Sequence, residues 1–141
     1  MSDLPLAVGD RAQLSKTVTE QDVVTFARVT GDTQALHLDD GFAARTRFKH
    51  RIAHGMLSAG LISAALGTKL APQSVVIYLS QQMRFRLPVA IGDTITAEVE
   101  VTAIDSEKRI VTARTDCLNQ RGEAVVKGEA TVLLDDVEPG T

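Results

Sequence analysis

The chain has 141 residues and a mass of 15.1 kDa, which suits one domain with a substantial core and leaves too little for two. We therefore expect residues 1–141 to form a single domain. A formal net charge of -3 and a pI near 5.6 lack the basic character of nucleic-acid-binding proteins, so no nucleic acid is expected as a partner. No apolar stretch reaches the roughly 20 residues of a bilayer-spanning helix, so no membrane partner is expected either.

Cysteine content and the first residues bear on the compartment. A single cysteine, Cys117, excludes an internal disulfide and fits a reducing environment. Residues 1–5 lack the basic start and apolar run of a signal peptide. We therefore expect a cytoplasmic protein.

The first elements lead to a candidate catalytic carboxylate. A strand is predicted over residues 11–17, and Thr19 with Asp22 forms a capping-box pattern that opens a helix over residues 20–30. Gly31 supplies a left-handed residue to end that helix, which places Asp32 just beyond it. The negative end of the helix dipole favours a proton on a carboxylate there, a tendency useful to a general base. A simple turn-capping role for Asp32 fits equally well.

A histidine and a basic loop follow. His37 lies between two leucines and is either structural or lines a groove between elements. Asp39 is predicted to cap a short helix anchored by Phe42. The connecting loop, residues 46–52, carries three basic residues that are either solvated or meet a phosphorylated ligand: Arg47, Lys49 and Arg51.

Residues 54–66 have helical length and contain no Asp, Glu, Lys or Arg, which predicts a helix buried on all sides that ends at Gly67. Its first backbone N–H groups have no intrahelical partner and can bind a carbonyl oxygen or an anion. Gly55 would let a ligand approach that end closely, or, with Gly60, would allow close packing on a sheet. Ser58 and Ser63 either bond back to the helix or face a ligand.

The rest of the chain alternates as strands do. Extended segments are predicted over residues 75–87, 94–104, 109–118 and 124–134, the last three as a meander, with a frayed tail from about residue 135. A long, twisted antiparallel sheet can curl around one apolar helix. The predicted fold class is therefore α+β, a single hot-dog fold in which an antiparallel sheet wraps a central apolar helix. Because such a sheet has a free edge, we expect a homodimer joined edge to edge.

Four segments together resemble the MaoC-like hydratases: GDTQALHLD (31–39), IAHGML (52–57), YLSQQMRFRLPV (78–89) and GD (92–93). Within that family the chain is most similar to the short (R)-specific enoyl-CoA hydratases that supply polyhydroxyalkanoate (PHA) synthesis. The resemblance implies a hot-dog homodimer that adds water to a trans-2-enoyl-CoA, giving the (R)-3-hydroxyacyl-CoA, and that catalyses the reverse dehydration. It implies an acyl-CoA substrate, no metal and no cofactor.

The same resemblance implies site residues. Asp32 and His37 match the two catalytic residues, the N–H of Gly55 matches the group that polarises the thioester carbonyl, and Ser63 matches a serine lining the active site. The family usually reads Asp-x-Asn-Pro-x-His, whereas this chain has Gln34 and Ala35 in place of the Asn and Pro. Gln34 keeps the amide that helps to hold the catalytic water but adds a methylene, and loss of the proline loosens the loop.

Three alternatives to hydration of an enoyl-CoA stay open. Two are enzymes on the same fold: a 3-hydroxyacyl-[acyl carrier protein] dehydratase and an acyl thioesterase. The third is a non-catalytic acyl-thioester-binding subunit that has lost turnover through Gln34 and Ala35.

Overall fold

The computed structural model describes residues 4–140, in which five antiparallel strands form one sheet of order β1-β3-β4-β5-β2. Strands β3, β4 and β5 are consecutive neighbours, which confirms the predicted meander. The tail from Asp136 has no regular structure. The strands are β1 Arg11–Thr17, β2 Val75–Phe85, β3 Thr94–Asp105, β4 Ile110–Leu118 and β5 Ala124–Asp135.

Helical segments fill the stretch between β1 and β2: α1 Glu20–Thr30, α2 Ala35–Leu38, α3 Asp40–Ala44 and α4 Gly55–Ala64. The predicted capping box is present, because Thr19 Oγ1 accepts from the Asp22 N–H while Asp22 accepts from the Thr19 N–H. Gly31, at φ 80°, ends α1 as predicted. Asp39 caps α3, but Phe42 is exposed and Ala43 is the residue of α3 that is buried.

Helix α4 packs one face on the sheet and leaves the other open. Leu61 and Ile62 are buried, whereas Met56, Gly60 and Ser63 are exposed, so the prediction of burial on all sides is wrong for the single chain. A Cβ at Gly60 would meet nothing within 4 Å, so that glycine is not required for close packing.

The end of α4 also differs from the prediction. The helix continues through Gly67 as a π-helical segment, Ala65–Leu70, and the chain turns only before Pro72. Three residues of this segment are buried, Ala65, Leu66 and Leu70, and their packing on the core outweighs the local tendency of a glycine to end a helix. Among the described residues, no helix is long and apolar enough to span a membrane.

The core lies between α4, its π-helical continuation and the concave face of the sheet. Ile95, Ala97, Val99 and Val101 of β3 are buried in alternation, as predicted. A register shift between Val101 and Ala103 turns Ala103 outward, which corrects its predicted inward position.

Strand β2 pairs with β5 on one side and forms an edge of the sheet on the other. Large apolar side chains are exposed along and just beyond it: Val75, Ile77, Tyr78, Leu79, Phe85 and Leu87. The structure therefore leaves one edge of a long strand with exposed apolar residues unpaired in the single chain.

Candidate active site

The loop after α1 presents Asp32. The left-handed Gly31 turns the chain, and the Asp32 N–H donates to Thr30 Oγ1 at 3.2 Å. Asp32 Oδ1 accepts from the Gln34 N–H at 3.5 Å, a long contact that leaves most of the carboxylate's acceptor capacity available. These contacts hold the main chain of the loop in place and leave the carboxylate of Asp32 available to react.

His37 is buried on α2 with one ring nitrogen committed. Its Nδ1 lies 2.7 Å from the carbonyl oxygen of Ile52, so Nδ1 carries the proton and donates it. Nε2 is then unprotonated in the neutral ring and can accept a proton. The sequence left open whether His37 has a structural role or lines a groove between elements. Its buried ring fits both, because one nitrogen is hydrogen-bonded and the other can accept a proton.

The carboxylate of Asp32 and the imidazoles of His37 and His54 come together, with one ligand atom from each within 4.8 Å of the others. Such a trio contains donors that metal ions also use. Two of the four imidazole nitrogens already face main-chain carbonyl oxygens, that of Ile52 for His37 and that of Asp32 for His54. The arrangement suits proton transfer by a carboxylate and an oriented histidine.

These groups form one end of a cavity of about 840 Å³ between α4 and β2. All five residues selected from the sequence line this cavity: Asp32, Gln34, His37, Gly55 and Ser63. The residues that the sequence predicted for one shared site therefore lie around the same cavity, and their roles there stay a prediction. The remaining lining is mainly apolar and includes Phe26, Met56, Ala59, Leu79 and Met83.

Gly55 is the first residue of α4, and His54 before it supplies no side-chain cap. The first N–H groups of the helix therefore have no intrahelical partner, and Gly55 lines the same cavity as Asp32 and His37. A Cβ at Gly55 would lie 2.9 Å from Phe85 Cε1, so a larger residue there would force the exposed Phe85 ring to shift.

Gly55 also borders a second cavity of about 440 Å³. Phe85, Arg47 and Arg86 line it, whereas neither Asp32 nor His37 does. Two cavities therefore meet at one helix N-terminus, a large apolar one and a smaller one with basic residues.

The wall of the large cavity formed by β2 is polar near its middle. Tyr78 donates a hydrogen bond to Gln81 Oε1, and Gln81 donates to Thr115 Oγ1 at 2.9 Å. Burial, together with the nearby Cys117, raises the pKa of Tyr78 above its usual value. Burial raises the pKa of the Cys117 thiol to about 12. Neither group is an anion at neutral pH, which leaves Asp32 and His37 as the candidate bases of the site.

Arg51 follows neither alternative predicted for the basic loop, since it is neither solvated nor open to a phosphorylated ligand. Its side chain is 7% exposed; Nε donates to the carbonyl oxygen of His37 at 2.7 Å, and Nη1 donates to Glu20 at 2.6 Å. Arg47 and Lys49 are exposed, as the solvated alternative required. Arg51 therefore fixes α2 against α1 and is not available to a phosphorylated ligand.

His54 and Arg51 are the site-forming residues that sequence reasoning missed. A histidine at the N-cap of an apolar helix, where Ser, Thr, Asp or Asn is favoured, was the available signal for His54. Nothing local distinguished Arg51 from its basic neighbours.

A hot-dog sheet with an Asp and a His at the N-terminal end of its central helix defines the class of the protein. The family model described as "MaoC like domain" matches residues 8–121, and the chain belongs to that family.

The chain is 50% identical over 126 residues to the (R)-specific enoyl-CoA hydratase of Rhodospirillum rubrum, a match covering 89% of this chain and 86% of the relative. It is 48% identical over 134 residues to the 3-hydroxybutyryl-CoA dehydratase of Methylorubrum extorquens, covering 94% and 83%. The solved (R)-hydratase from A. caviae, described as involved in PHA biosynthesis, superposes with a TM-score of 0.88 at 47% identity, covering 92% and 98% of the two chains.

Proposed function

We propose that the protein is a hydro-lyase that adds water to trans-2-enoyl-CoA thioesters to give (R)-3-hydroxyacyl-CoA, and that removes water in the reverse direction. The observation that supports this most strongly is the meeting of Asp32, His37 and the N-terminus of α4 at one end of an apolar cavity. The hydratase and dehydratase names of the relatives at 48–50% identity agree with this direction of chemistry.

Hydration needs a proton acceptor for water, hydrogen-bond donors for the thioester oxygen and a group that delivers a proton to Cα. The lining of the cavity offers residues for each. Water must lose a proton as its oxygen bonds to Cβ, and the Asp32 carboxylate and His37 Nε2 are both acceptors. Negative charge that builds on the thioester oxygen needs donors, which the Gly55 end of α4 supplies. The proton taken from water is delivered to Cα, so the enzyme groups return to their starting state. We assign the amide of Gln34, which also lines the cavity, to holding the water.

The substrate proposal uses both cavities. A thioester carbonyl at the Gly55 N–H would place the acyl chain in the large cavity, which Ser63 also lines. The carrier arm would pass through the smaller cavity, where Arg47 and Arg86 can meet phosphate groups. Replacing either arginine by alanine should raise KM for a CoA thioester and leave kcat within about twofold.

We propose that two copies form a homodimer through β2. The strand is an unpaired edge with exposed apolar residues, which free monomers rarely tolerate. Pairing with a second copy would also cover the open side of the large cavity, since β2 and the exposed face of α4 both line it. Light scattering should give twice the chain mass; a monomeric mass would contradict the dimer.

We further propose a reaction that needs neither metal nor cofactor, because it adds the hydroxyl and the proton of water to a double bond without any change that needs an oxidant or reductant. Dialysis against EDTA should leave kcat unchanged, and loss of activity restored by a divalent metal would refute this. We propose that the enzyme is cytoplasmic and supplies precursors for PHA. The free buried thiol of Cys117 and the A. caviae relative support this proposal.

The test is hydration of crotonyl-CoA, followed by loss of enoyl-thioester absorbance and chiral analysis of the product. Rapid formation of (R)-3-hydroxybutyryl-CoA is expected. Faster turnover of carrier-protein thioesters would indicate the dehydratase of acyl carrier protein, and release of free CoA would indicate a thioesterase. Binding without turnover, with activity restored by Gln34→Asn and Ala35→Pro together, would indicate the non-catalytic subunit.

A further inference from the structure

His54 is the third polar side chain at the acid–base pair, and its contacts are unusual for a helix N-cap. The ring is 3% exposed, and its Nε2 lies 2.9 Å from the main-chain carbonyl oxygen of Asp32. A carbonyl only accepts, so Nε2 carries the proton and donates it. His54 therefore links the start of α4 to the loop that presents Asp32.

The ring face of His54 makes a second contact. It stacks on the imidazole of His37 with ring centroids 3.9 Å apart and planes inclined by 27°. Phe26 of α1 also contacts the ring, at 4.7 Å between ring centroids in a tilted arrangement. His54 thus contacts both an aromatic ring of α1 and the imidazole of His37.

The remaining nitrogen of His54 has no partner. Nδ1 is buried and has no hydrogen-bond partner among the described residues, where an unpaired buried polar atom costs about 1–3 kcal/mol. Turning the ring over would put carbon at the Asp32 carbonyl and lose the existing bond. His54 therefore leaves its Nδ1 unpaired while its Nε2–H donates to the Asp32 carbonyl oxygen. A side chain that served only for packing would not need this hydrogen bond.

We propose that His54 is a positioning residue for the pair, acting as the neutral tautomer protonated on Nε2. Its N–H holds the Asp32 main chain, and its face fixes the plane of His37, so that the carboxylate and His37 Nε2 converge on the same water. When His37 takes a proton, the uncharged ring beside it offers a π face and no like charge. This inference deepens the proposed function and rests on it for the identity of the reaction.

The tautomer can be tested without any substrate. The chain has three histidines, His37, His50 and His54, so ¹⁵N-imidazole NMR on an untagged, histidine-labelled protein gives three assignable rings. We expect His54 protonated on Nε2 and His37 on Nδ1. A His54 ring protonated on Nδ1, or on both nitrogens at neutral pH, would overturn the proposal even if the enzyme hydrates crotonyl-CoA normally.

Two substitutions test the positioning role. His54→Phe keeps a ring in the stack and removes the donor, whereas His54→Gln places an amide N–H near the position of Nε2 and removes the ring. We expect His54→Phe to lower kcat at least about tenfold with KM within about threefold, and His54→Gln to recover part of that loss. His50→Gln, the same change at an exposed histidine outside the pair, should behave as wild type.

Three outcomes decide the matter. A folded His54→Phe with wild-type kcat, or a His54→Gln no better than His54→Phe, would overturn the role of the donor. If His54→Phe fails to fold, two tests of the proposal remain. One is the tautomer of His54 in the NMR spectra, and the other is the kcat of His54→Gln compared with that of His50→Gln. If the wild-type chain hydrates no enoyl thioester, the proposed function fails separately from the tautomer, which the spectra still decide.

Discussion

Arg51 supports the site from outside the cavity, and replacing it by methionine should separate support from chemistry. Its Nε bond to the His37 carbonyl is a hydrogen bond from a charged donor, a type that contributes about 1.5–3 kcal/mol. Its partner Glu20 is 68% exposed, so that ion pair adds at most about 1 kcal/mol. Arg51→Met retains much of the buried stem and should therefore cost about 2–3 kcal/mol.

For a domain of this size, that loss lowers Tm by roughly 6–12 °C, measurable by thermal denaturation followed by circular dichroism. Because the lost bond fixes the main chain of His37, kcat should also fall at least about tenfold at a temperature where the variant is folded. Glu20→Gln removes the ion pair alone and should shift Tm by no more than a few degrees. Arg45→Met, at an exposed arginine of the same region, is the matched control. Equal effects of Arg51→Met and Glu20→Gln on Tm and kcat would refute the assigned role of the His37 carbonyl bond.

Three further predictions follow from local geometry. Ala35 is the first residue of α2 and follows a residue at φ -53° and ψ 136°, so Ala35→Pro should raise stability by about 0.4–1 kcal/mol in urea denaturation; a loss would contradict the assigned backbone. Gly55→Ala should lower kcat because its Cβ meets Phe85. Gly67→Ala, whose Cβ would meet nothing within 4 Å, should keep kcat and stability at or above wild type. A lower kcat for Gly67→Ala than for Gly55→Ala would refute the close contact between Gly55 and Phe85. Cys117 should resist iodoacetamide at pH 8 until the protein unfolds, because burial raises the pKa of its thiol to about 12; rapid labelling of the native protein by mass spectrometry would contradict this.

The sequence predicted the elements whose signals are local. Helix α1 was predicted with its observed bounds, because Thr19 and Asp22 cap one end and Gly31 can adopt the left-handed conformation at the other. The strands of the meander were predicted within a residue or so at their ends, since buried and less buried residues alternate over much of each strand.

The errors arose where packing at a distance overrides local preference. Gly67 stays helical because its neighbours Leu66 and Leu70 are buried in the core. The open face of α4 was missed because composition reports how apolar a helix is and cannot report which face has a neighbour within the same chain.

The candidate site shows the same division. Asp32, His37 and Gly55 were identifiable from motif and spacing, and the structure brings them to one cavity. The roles of Arg51 and His54 depend on main-chain carbonyls 14 and 22 residues away, a relation that no local pattern contains.

The most direct test of the central claim is the rate of crotonyl-CoA hydration by wild type, Asp32→Asn and His37→Ala, with folding and oligomeric mass checked for each. If the pair performs the proton transfers, wild type gives the (R) product and each variant loses at least about a hundredfold in kcat while its circular dichroism spectrum and mass stay unchanged. A folded variant of either residue that keeps most of the wild-type rate would contradict the assignment of Asp32 and His37 as the catalytic pair.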